Sequence, residues 1–240
     1  MEDIYKNDFE KFLSHTDEKE ILLNEVSKEI EKYNTKSLLD IGAGNGLLSI
    51  PLSKKVGSYL AVEPKEKFVA KLRGAGLEVI EGKFPFEISG SFDMALSSHS
   101  MSYQKDLIVP FIRKAWELVK PGGVFLIITY RGQEDDWTKL MKGLGENHED
   151  QNRVGFNQIV ELLASLGDVK MRKVITRVNT ENLDDIVQAL SFVASDGKPE
   201  KKKEFLKQSG KLEKILKQNY KNNYGYYFPF QHFFLTTQKL

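Results

Sequence analysis

Apolar and polar positions alternate along this chain with two different periods. Between residues 18 and 33, Ile21, Leu22, Val26 and Ile30 recur at helical spacing, which predicts an amphipathic helix. The segment ahead of it has a weaker pattern and is expected to be looser. Short runs at 37–42, 59–63, 78–82, 92–97 and 123–130 read as strands, and stretches of helical length and period at 47–56, 66–75 and 106–119 separate them. Parallel strands need crossover connections, and helices are the usual ones, so this alternation predicts a mostly parallel sheet covered on both faces. Beyond residue 130 the spacing changes. A helix is expected at 156–166, a strand at 169–178, mostly helix over 183–220, and an alternating run at 230–238 closes the chain as a strand.

Composition narrows the class without changing that picture. The 240 residues are enough for one large domain, and with 40% hydrophobic and 29% charged residues they match an ordinary globule. No internal repeat and no Pro/Gly/Ser-rich linker divides the chain. The formal net charge of +1, from 35 basic and 34 acidic side chains, lacks the excess expected of a dedicated nucleic-acid binder. Zero cysteines exclude disulfides, thiolate metal sites and a cysteine nucleophile, and fit a reducing cytoplasmic setting. With four scattered histidines no metal site is expected. The start of the chain has no apolar signal-peptide stretch, and the longest apolar run, Val124 to Ile128, is far below the roughly 20 residues that cross a bilayer, so no membrane association is expected.

The chemistry concentrates where the first strand ends. Leu38-Leu39-Asp40-Ile41 leads into Gly42-Ala43-Gly44-Asn45-Gly46, a glycine-rich turn opening a helix. Glycines there permit positive φ and let a ligand lie against the backbone. Closely spaced glycines are common in turns, but a turn between a strand and a helix is the context a nucleotide-type ligand requires. Glu63 ends the next strand, 17 residues after Gly46, and a carboxylate at that point accepts hydrogen bonds from both hydroxyls of a ribose.

From residue 37 to 130 the sequence resembles the class I S-adenosylmethionine-dependent methyltransferases. The marks are Asp40 to Gly46, Glu63, the run Phe92-Asp93-Met94-Ala95, and Leu118-Val119-Lys120-Pro121-Gly122-Gly123, where Pro121 stops a helix and the glycines turn into the fifth strand. The resemblance implies a Rossmann-like α/β fold: a seven-stranded, mostly parallel sheet with helices on both faces and a helical insertion before the last strand. It also implies one domain over 1–240, with 1–36 as an N-terminal helical cap, 37–130 as the cofactor-binding core and 183–225 as a helical insertion on the substrate side. S-adenosylmethionine would be the cofactor. Gly42, Ala43 and Gly44 would line its methionine part beside Asn45, Asp40 would orient the loop, and Glu63 would hold the ribose. Family members often carry an acid or amide after the third strand; this chain has Gly82-Lys83-Phe84. Backbone groups of Lys83 and Phe84 would then meet the adenine edge, with Phe84 or Pro64 against a face. Phe84 is equally readable as core packing.

After the fourth strand, Ser97, Ser98, His99 and Tyr103 fall at the carboxyl end of the sheet, where open α/β folds place ligands. The resemblance implies cofactor contact for Ser97 and Ser98, and substrate contact or base catalysis for His99 and Tyr103, histidine being suited to proton transfer near neutral pH. A lone histidine is more often structural. The segment 130–140 brings acids and Trp137 to the expected pocket wall and is similar in arrangement to small-molecule N-methyltransferases such as histamine N-methyltransferase. Trp137 is readable as a pocket wall or as a helix anchor. Lys198 to Lys221 holds nine lysines and three glutamates, but Leu212, Ile215 and Leu216 form an apolar stripe, so a helix with a solvated basic face explains it without RNA. The expected activity is methyl transfer to a small-molecule acceptor. RNA or protein methylation, a nicotinamide enzyme and a non-catalytic binding module stay open.

Overall fold

The computed structural model describes residues 2–101, 104–130, 135–145, 155–195 and 198–240. Its strands are β1 Ser37–Ile41, β2 Ser58–Glu63, β3 Glu78–Glu81, β4 Phe92–Ser98, β5 Val119–Tyr130, β6 Val169–Thr180, β7 Lys221–Asn222 and β8 Gly225–Gln238. The helices are α1 Glu2–His15, α2 Glu18–Lys32, α3 Ser49–Ser53, α4 Glu66–Gly74, α5 Lys105–Glu117, α6 Asp136–Leu144, α7 Phe156–Ala164, α8 Leu183–Ser195, α9 Pro199–Leu206 and α10 Ser209–Asn219.

The sheet runs β3-β2-β1-β4-β5-β8-β6, with two-residue β7 beside β8. Pairs β1/β2, β1/β4, β2/β3 and β4/β5 are parallel, and β8 returns antiparallel against β5. The chain thus builds β1, β2 and β3 outward in one direction, then crosses back to lay β4 on the other side of β1. That reversal opens a crevice at the carboxyl ends of β1 and β4, the usual ligand position in an open α/β sheet.

The described chain forms two compact units. The larger comprises residues 19–131, 150–174 and 232–240. Successive side chains of its central strands point to opposite faces. Leu39, Ile41, Ala95, Phe125 and Ile127 meet Ile108 and Ile112 of α5 and Ile159 and Leu163 of α7 on one side. Leu38, Met94, Leu96, Leu126 and Ile128 meet Leu22, Val26 and Ile30 of α2 on the other. The smaller unit comprises 1–18, 132–149 and 175–231. Its core joins Phe12 of α1, Leu140 and Leu144 of α6, Ile186 and Leu190 of α8, Phe205 of α9 and Leu212 and Leu216 of α10 with Phe228 and Phe230. Asp135 caps α6 by accepting the Thr138 amide at 2.7 Å.

Local expectations needed correction in four places. The stretch before residue 18 is helix α1, because Phe12 is buried and its ring lies 5.4 Å from that of Phe192. The helix expected over 47–56 shrinks to the five residues of α3, since Pro51 supplies no amide and a Gly57-containing turn follows. Pro121-Gly122 does not precede the fifth strand but lies inside it. Phe92 pairs with Val119 and Met94 already with Val124, so the intervening residues bulge out, Gly122 taking φ 80°. The eighth strand, β7, forms a short hairpin with an extended β8 that begins at Gly225 rather than 230.

At the amino end of β1 and β4, Asp93 binds the two strands together. Its Oδ2 accepts the Lys36 and Ser37 amides at 2.9 and 2.7 Å and the Ser37 hydroxyl at 3.0 Å, and its Oδ1 meets Lys120 Nζ at 2.9 Å. Burial alone would raise this carboxyl, but the Lys120 ammonium and the donated hydrogen bonds outweigh it and hold the pKa at about 2.

Candidate functional site

The glycine turn is fixed to β2 before any side chain acts. Both the Gly42 and Ala43 amides donate to the Val62 carbonyl, at 2.7 and 3.1 Å. Gly42 and Gly44 take φ of 82° and 60°, conformations that cost an L side chain on the order of 1–2 kcal/mol. The two differ in surroundings. A Cβ on Gly42 would sit 2.2 Å from Ser100 Cβ, so this glycine exists for close approach of the loop after β4. A Cβ on Gly44 would meet nothing within 4 Å, so Gly44 presents open backbone.

Glu63 joins the turn to the end of β2. It is buried, its Oε2 accepting the Gly44 amide at 2.8 Å and its Oε1 the Lys65 amide at 2.9 Å. An ionised carboxylate has about four acceptor sites, so each oxygen keeps a lone pair for a hydroxyl beside the one given to the backbone. Pro64 follows, exposed, and the Gly82 amide donates to the Glu63 carbonyl at 3.1 Å, drawing the end of β3 to the same edge.

Asp40 lies beneath the turn, buried within β1. Its Oδ2 accepts hydrogen bonds from Ser49 Oγ at 2.6 Å and from the Tyr59 hydroxyl. Ser49 Oγ also stands 3.0 Å from the Ala43 carbonyl, so a single hydroxyl links the acid to the turn. Burial raises the Asp40 carboxyl above its ordinary range, and the neighbouring Glu63 charge adds to this against the two hydroxyl donors. Burial and the adjacent Asp40 also push the Tyr59 phenol well up. Asn45 acts locally, its Oδ1 accepting the Leu47 amide at 3.3 Å.

The loop after β4 closes the other side. Ser100 Oγ donates to the Ile41 carbonyl, which leaves Ser97 Oγ, fully buried, to donate to Ser100 Oγ at 2.9 Å. Ser98 ends β4 half-buried. His99 has φ 52° and its amide donates to the Ile128 carbonyl at 3.0 Å. Its ring stacks on Tyr130 at 4.3 Å, and its Nε2 lies 2.9 Å from Nδ1 of His232 on β8. Tyr103 lies outside the described residues.

The structure therefore gathers Asp40, Gly42, Ala43, Gly44, Glu63, Ser97 and His99 around the carboxyl ends of β1, β2 and β4. Phe84 is buried in the core, edge-on to Phe111 at 5.1 Å and to Phe86 at 6.1 Å, while Lys83 is exposed. Trp137 belongs to the smaller unit, its ring centroid 5.9 to 6.3 Å from those of Phe205, Phe228 and Phe230. Sequence reasoning missed Ser49, Tyr59, Ser100 and His232. His232 left one trace: with Gln231 it forms a polar pair that interrupts the aromatic-rich run from Tyr226 to Phe234. Among the described residues no three His, Asp or Glu side chains cluster as a metal site, and no helix is long and apolar enough to cross a membrane.

Residues 39–127 match the family model described as a methyltransferase domain. Over 100 residues the chain is 29% identical to a ubiquinone biosynthesis O-methyltransferase of Rhizobium rhizogenes, covering 38% of this chain and 40% of that protein. Over 87 residues it is 32% identical to the UDP-N-acetylmuramoylalanine–D-glutamate ligase of Ligilactobacillus salivarius, covering 34% of this chain and 19% of the ligase. The chain thus spans well under half the length of either curated relative. Among solved structures, the YcgJ protein from Bacillus subtilis superposes with a TM-score of 0.61 at 16% identity, covering 90% of this chain and 97% of that one, a likeness of fold.

Proposed function

Because residues 39–127 form a class I S-adenosylmethionine-dependent methyltransferase domain, with S-adenosylmethionine as the methyl donor, we propose that the chain methylates a small-molecule acceptor. The observation that carries this reading is the joint between Glu63 and Gly44. A buried carboxylate suited to a ribose diol is bonded to a glycine whose outer face is open.

The residues present fit the donor. Glu63 would accept the ribose hydroxyls and the open backbone at Gly44 and Ala43 would receive the amino-acid arm, while Asp40, through Ser49, holds the turn in position. The Lys83 backbone and Pro64 would meet the adenine, and Phe84, packed on Phe111, would back that end from the core. A nicotinamide dinucleotide suits the site less well: it places its pyrophosphate on the N-terminus of the helix after the turn, and α3 here is five residues long with no side-chain cap.

S-adenosylmethionine supplies a methyl group on a positively charged sulfur, already activated for displacement. The chain's own task is alignment and exclusion of water. Ser97 and Ser100 fix the loop after β4 against β1, which sets the approach of the acceptor's lone pair. His99, at the start of that loop, takes the acceptor's proton when the acceptor is a hydroxyl or a protonated amine.

The basic segment favours a small acceptor over RNA. Lys202 pairs with Asp8, Lys207 with Glu204 and Lys217 with Glu213, while Phe205, Leu212 and Leu216 bury the opposite side of α9 and α10. The matched O-methyltransferase is named for ubiquinone biosynthesis, which also favours a small molecule. The test is transfer of labelled methyl from S-adenosylmethionine to a metabolite library, to tRNA and to protein extract in parallel. Label in the metabolite fraction is expected; label confined to tRNA or protein would overturn the acceptor class.

A further inference from the structure

Tyr59 and Asp40 meet because their strands pair in register. Leu38 of β1 stands beside Tyr59 of β2 and Asp40 beside Ala61, so the side chains of Tyr59 and Asp40 fall on one face of the sheet, a diagonal step apart. The Tyr59 hydroxyl reaches Asp40 Oδ2, and Ser49 Oγ of α3 reaches the same oxygen at 2.6 Å. Two hydroxyl donors converging on one oxygen make the pattern of an ionised carboxylate, whose O–H···O⁻ bonds run about 2.5–2.7 Å. A neutral acid carrying its hydrogen on Oδ2 would have to displace one of the two. Ser49 has one proton and two acceptors in reach, Asp40 and the Ala43 carbonyl at 3.0 Å, whereas the Tyr59 hydroxyl is directed at Asp40.

What these donors oppose is burial. Asp40 is 3% exposed, and desolvation pushes its carboxyl up; Glu63, at the end of β2, adds a like charge in the same direction. The Ser49 and Tyr59 hydroxyls pull it down, and the balance leaves it above the ordinary carboxylate range. β4 sets Leu96 beside Asp40 in register and α3 presents Ser49, so Glu63 and the Tyr59 phenol are the ionisable groups that face it among the described residues. Burial and the neighbouring acid in turn hold the phenol well above its own ordinary range, so Tyr59 keeps its proton and stays a donor.

We propose that Tyr59 is a positioning residue for the methyl donor: with Ser49 it keeps Asp40 as a hydrogen-bonded carboxylate beneath the Gly42–Gly46 turn, the form in which the site holds the cationic donor. The assignment rests on the donor reading above. S-adenosylmethionine carries a sulfonium and an ammonium against one carboxylate, so its net charge is positive and the two acids at this turn attract it. A neutral Asp40 leaves Glu63 to do so alone. It also turns the Ser49 proton toward Ala43, because the acid's own hydrogen then takes the serine's place on Oδ2. Donor affinity is therefore full above the pH at which Asp40 titrates in the free protein and falls as pH drops through it, since the cation favours the ionised form. Deleting the Tyr59 hydroxyl removes a donor to that form and moves the fall to higher pH.

Tyr59→Phe keeps the ring and deletes the hydroxyl. Calorimetric titration of the full chain with S-adenosylmethionine from pH 8 down to pH 5 should give a Kd within about twofold of wild type at the upper end, where Asp40 is ionised in both proteins. Toward the lower end the variant should lose affinity first, its fall displaced upward by about one pH unit, the usual weight of a hydrogen bond to a charged group. Glu63 is present in both proteins, so the difference between the two profiles reports Asp40. Carboxyl ¹³C NMR of the aspartate-labelled full chain, assigned with Asp40→Asn, reads the acid directly: its signal should titrate above the ordinary aspartate range in wild type and higher still in Tyr59→Phe. A Kd weakened by the same factor at every pH, or an Asp40 titration indifferent to the lost hydroxyl, would overturn the assignment. Should Tyr59→Phe not fold, Ser49→Ala removes the other donor and must displace the Asp40 titration in the same direction; no displacement there would equally overturn it. Failure of the methyl-donor reading has a different signature: S-adenosylmethionine then binds at no pH, while the Asp40 signal still moves.

Discussion

Glu63 Oε2 and the Gly44 amide nitrogen lie 2.8 Å apart, joining the end of β2 to the turn that follows β1 across 19 residues of sequence. One carboxylate therefore holds the turn's shape while each of its oxygens keeps a lone pair that the backbone does not use. Charge-assisted bonds to backbone amides are among the stronger neutral-to-ion contacts, so the turn is preformed rather than shaped by the ligand.

The double role makes Glu63→Ala costly on two readouts. Deleting the side chain leaves the Gly44 and Lys65 amides without their acceptor, and the free protein should lose about 1–3 kcal/mol of stability. S-adenosylmethionine affinity should fall by a further ~1–3 kcal/mol, measured calorimetrically at a temperature where the variant is folded. An unchanged Kd in a folded variant would make Glu63 purely structural.

Gly42 and Gly44 separate stability from binding. Gly42→Ala places a Cβ 2.2 Å from Ser100 Cβ at a φ of 82°, so it should destabilise by roughly 3 kcal/mol or more. Gly44→Ala meets no atom within 4 Å and should cost only the left-handed strain of about 1 kcal/mol. Its methyl would nevertheless stand on the open face, and donor affinity should drop at least tenfold. Equal effects of both variants on Kd and on unfolding would contradict the assignment of the open face to Gly44.

Asp93 gives the fold an acid limit. A carboxyl held at about 2 when folded and near 3.8 when unfolded contributes stability that is present above the unfolded value. It is lost as pH falls from about 4 through about 2. Asp93→Asn should lower stability at pH 7 by about 1–2 kcal/mol. Denaturant unfolding of both proteins at pH 7, 4.5 and 3 checks this: the gap should narrow with acid, and a gap independent of pH would mean that shape rather than charge is what Asp93 supplies.

Trp137→Ala should cost the smaller unit about 2–3 kcal/mol, because the indole packs against Phe205, Phe228 and Phe230 and truncation leaves a cavity among rings. Unfolding by heat or urea measures it. A variant as stable as wild type with a raised acceptor KM would return Trp137 to the pocket wall.

The architecture was legible because its signals are local. Alternation on either side of Leu38 and Leu39, the glycine turn after Ile41 and the acid at Glu63 each lie within a few residues, and their order along the chain reproduces β1 to β5. What escaped was set by pairing across the sheet. Tyr59 reaches Asp40 only because β1 and β2 lie side by side in register, and His232 reaches His99 across 133 residues through β5. Phe84 was ambiguous in sequence because an aromatic after a strand serves a core or a ligand equally well, and its packing on Phe111 comes from a residue 27 positions on. The Pro121-Gly122 pair was read as a turn because the bulge that absorbs it depends on β4.

In the proposed function, the turn at Gly42–Gly46 and Glu63 together bind an adenosyl sulfonium donor. Its most direct test is the melting temperature of the full chain with S-adenosylmethionine, with S-adenosylhomocysteine and with NAD at equal concentration. Both adenosyl ligands should raise it by several degrees in the wild type and much less in Glu63→Ala, and NAD should leave it unchanged. Stabilisation by NAD with none from either adenosyl ligand would mean that the turn and Glu63 hold a dinucleotide instead.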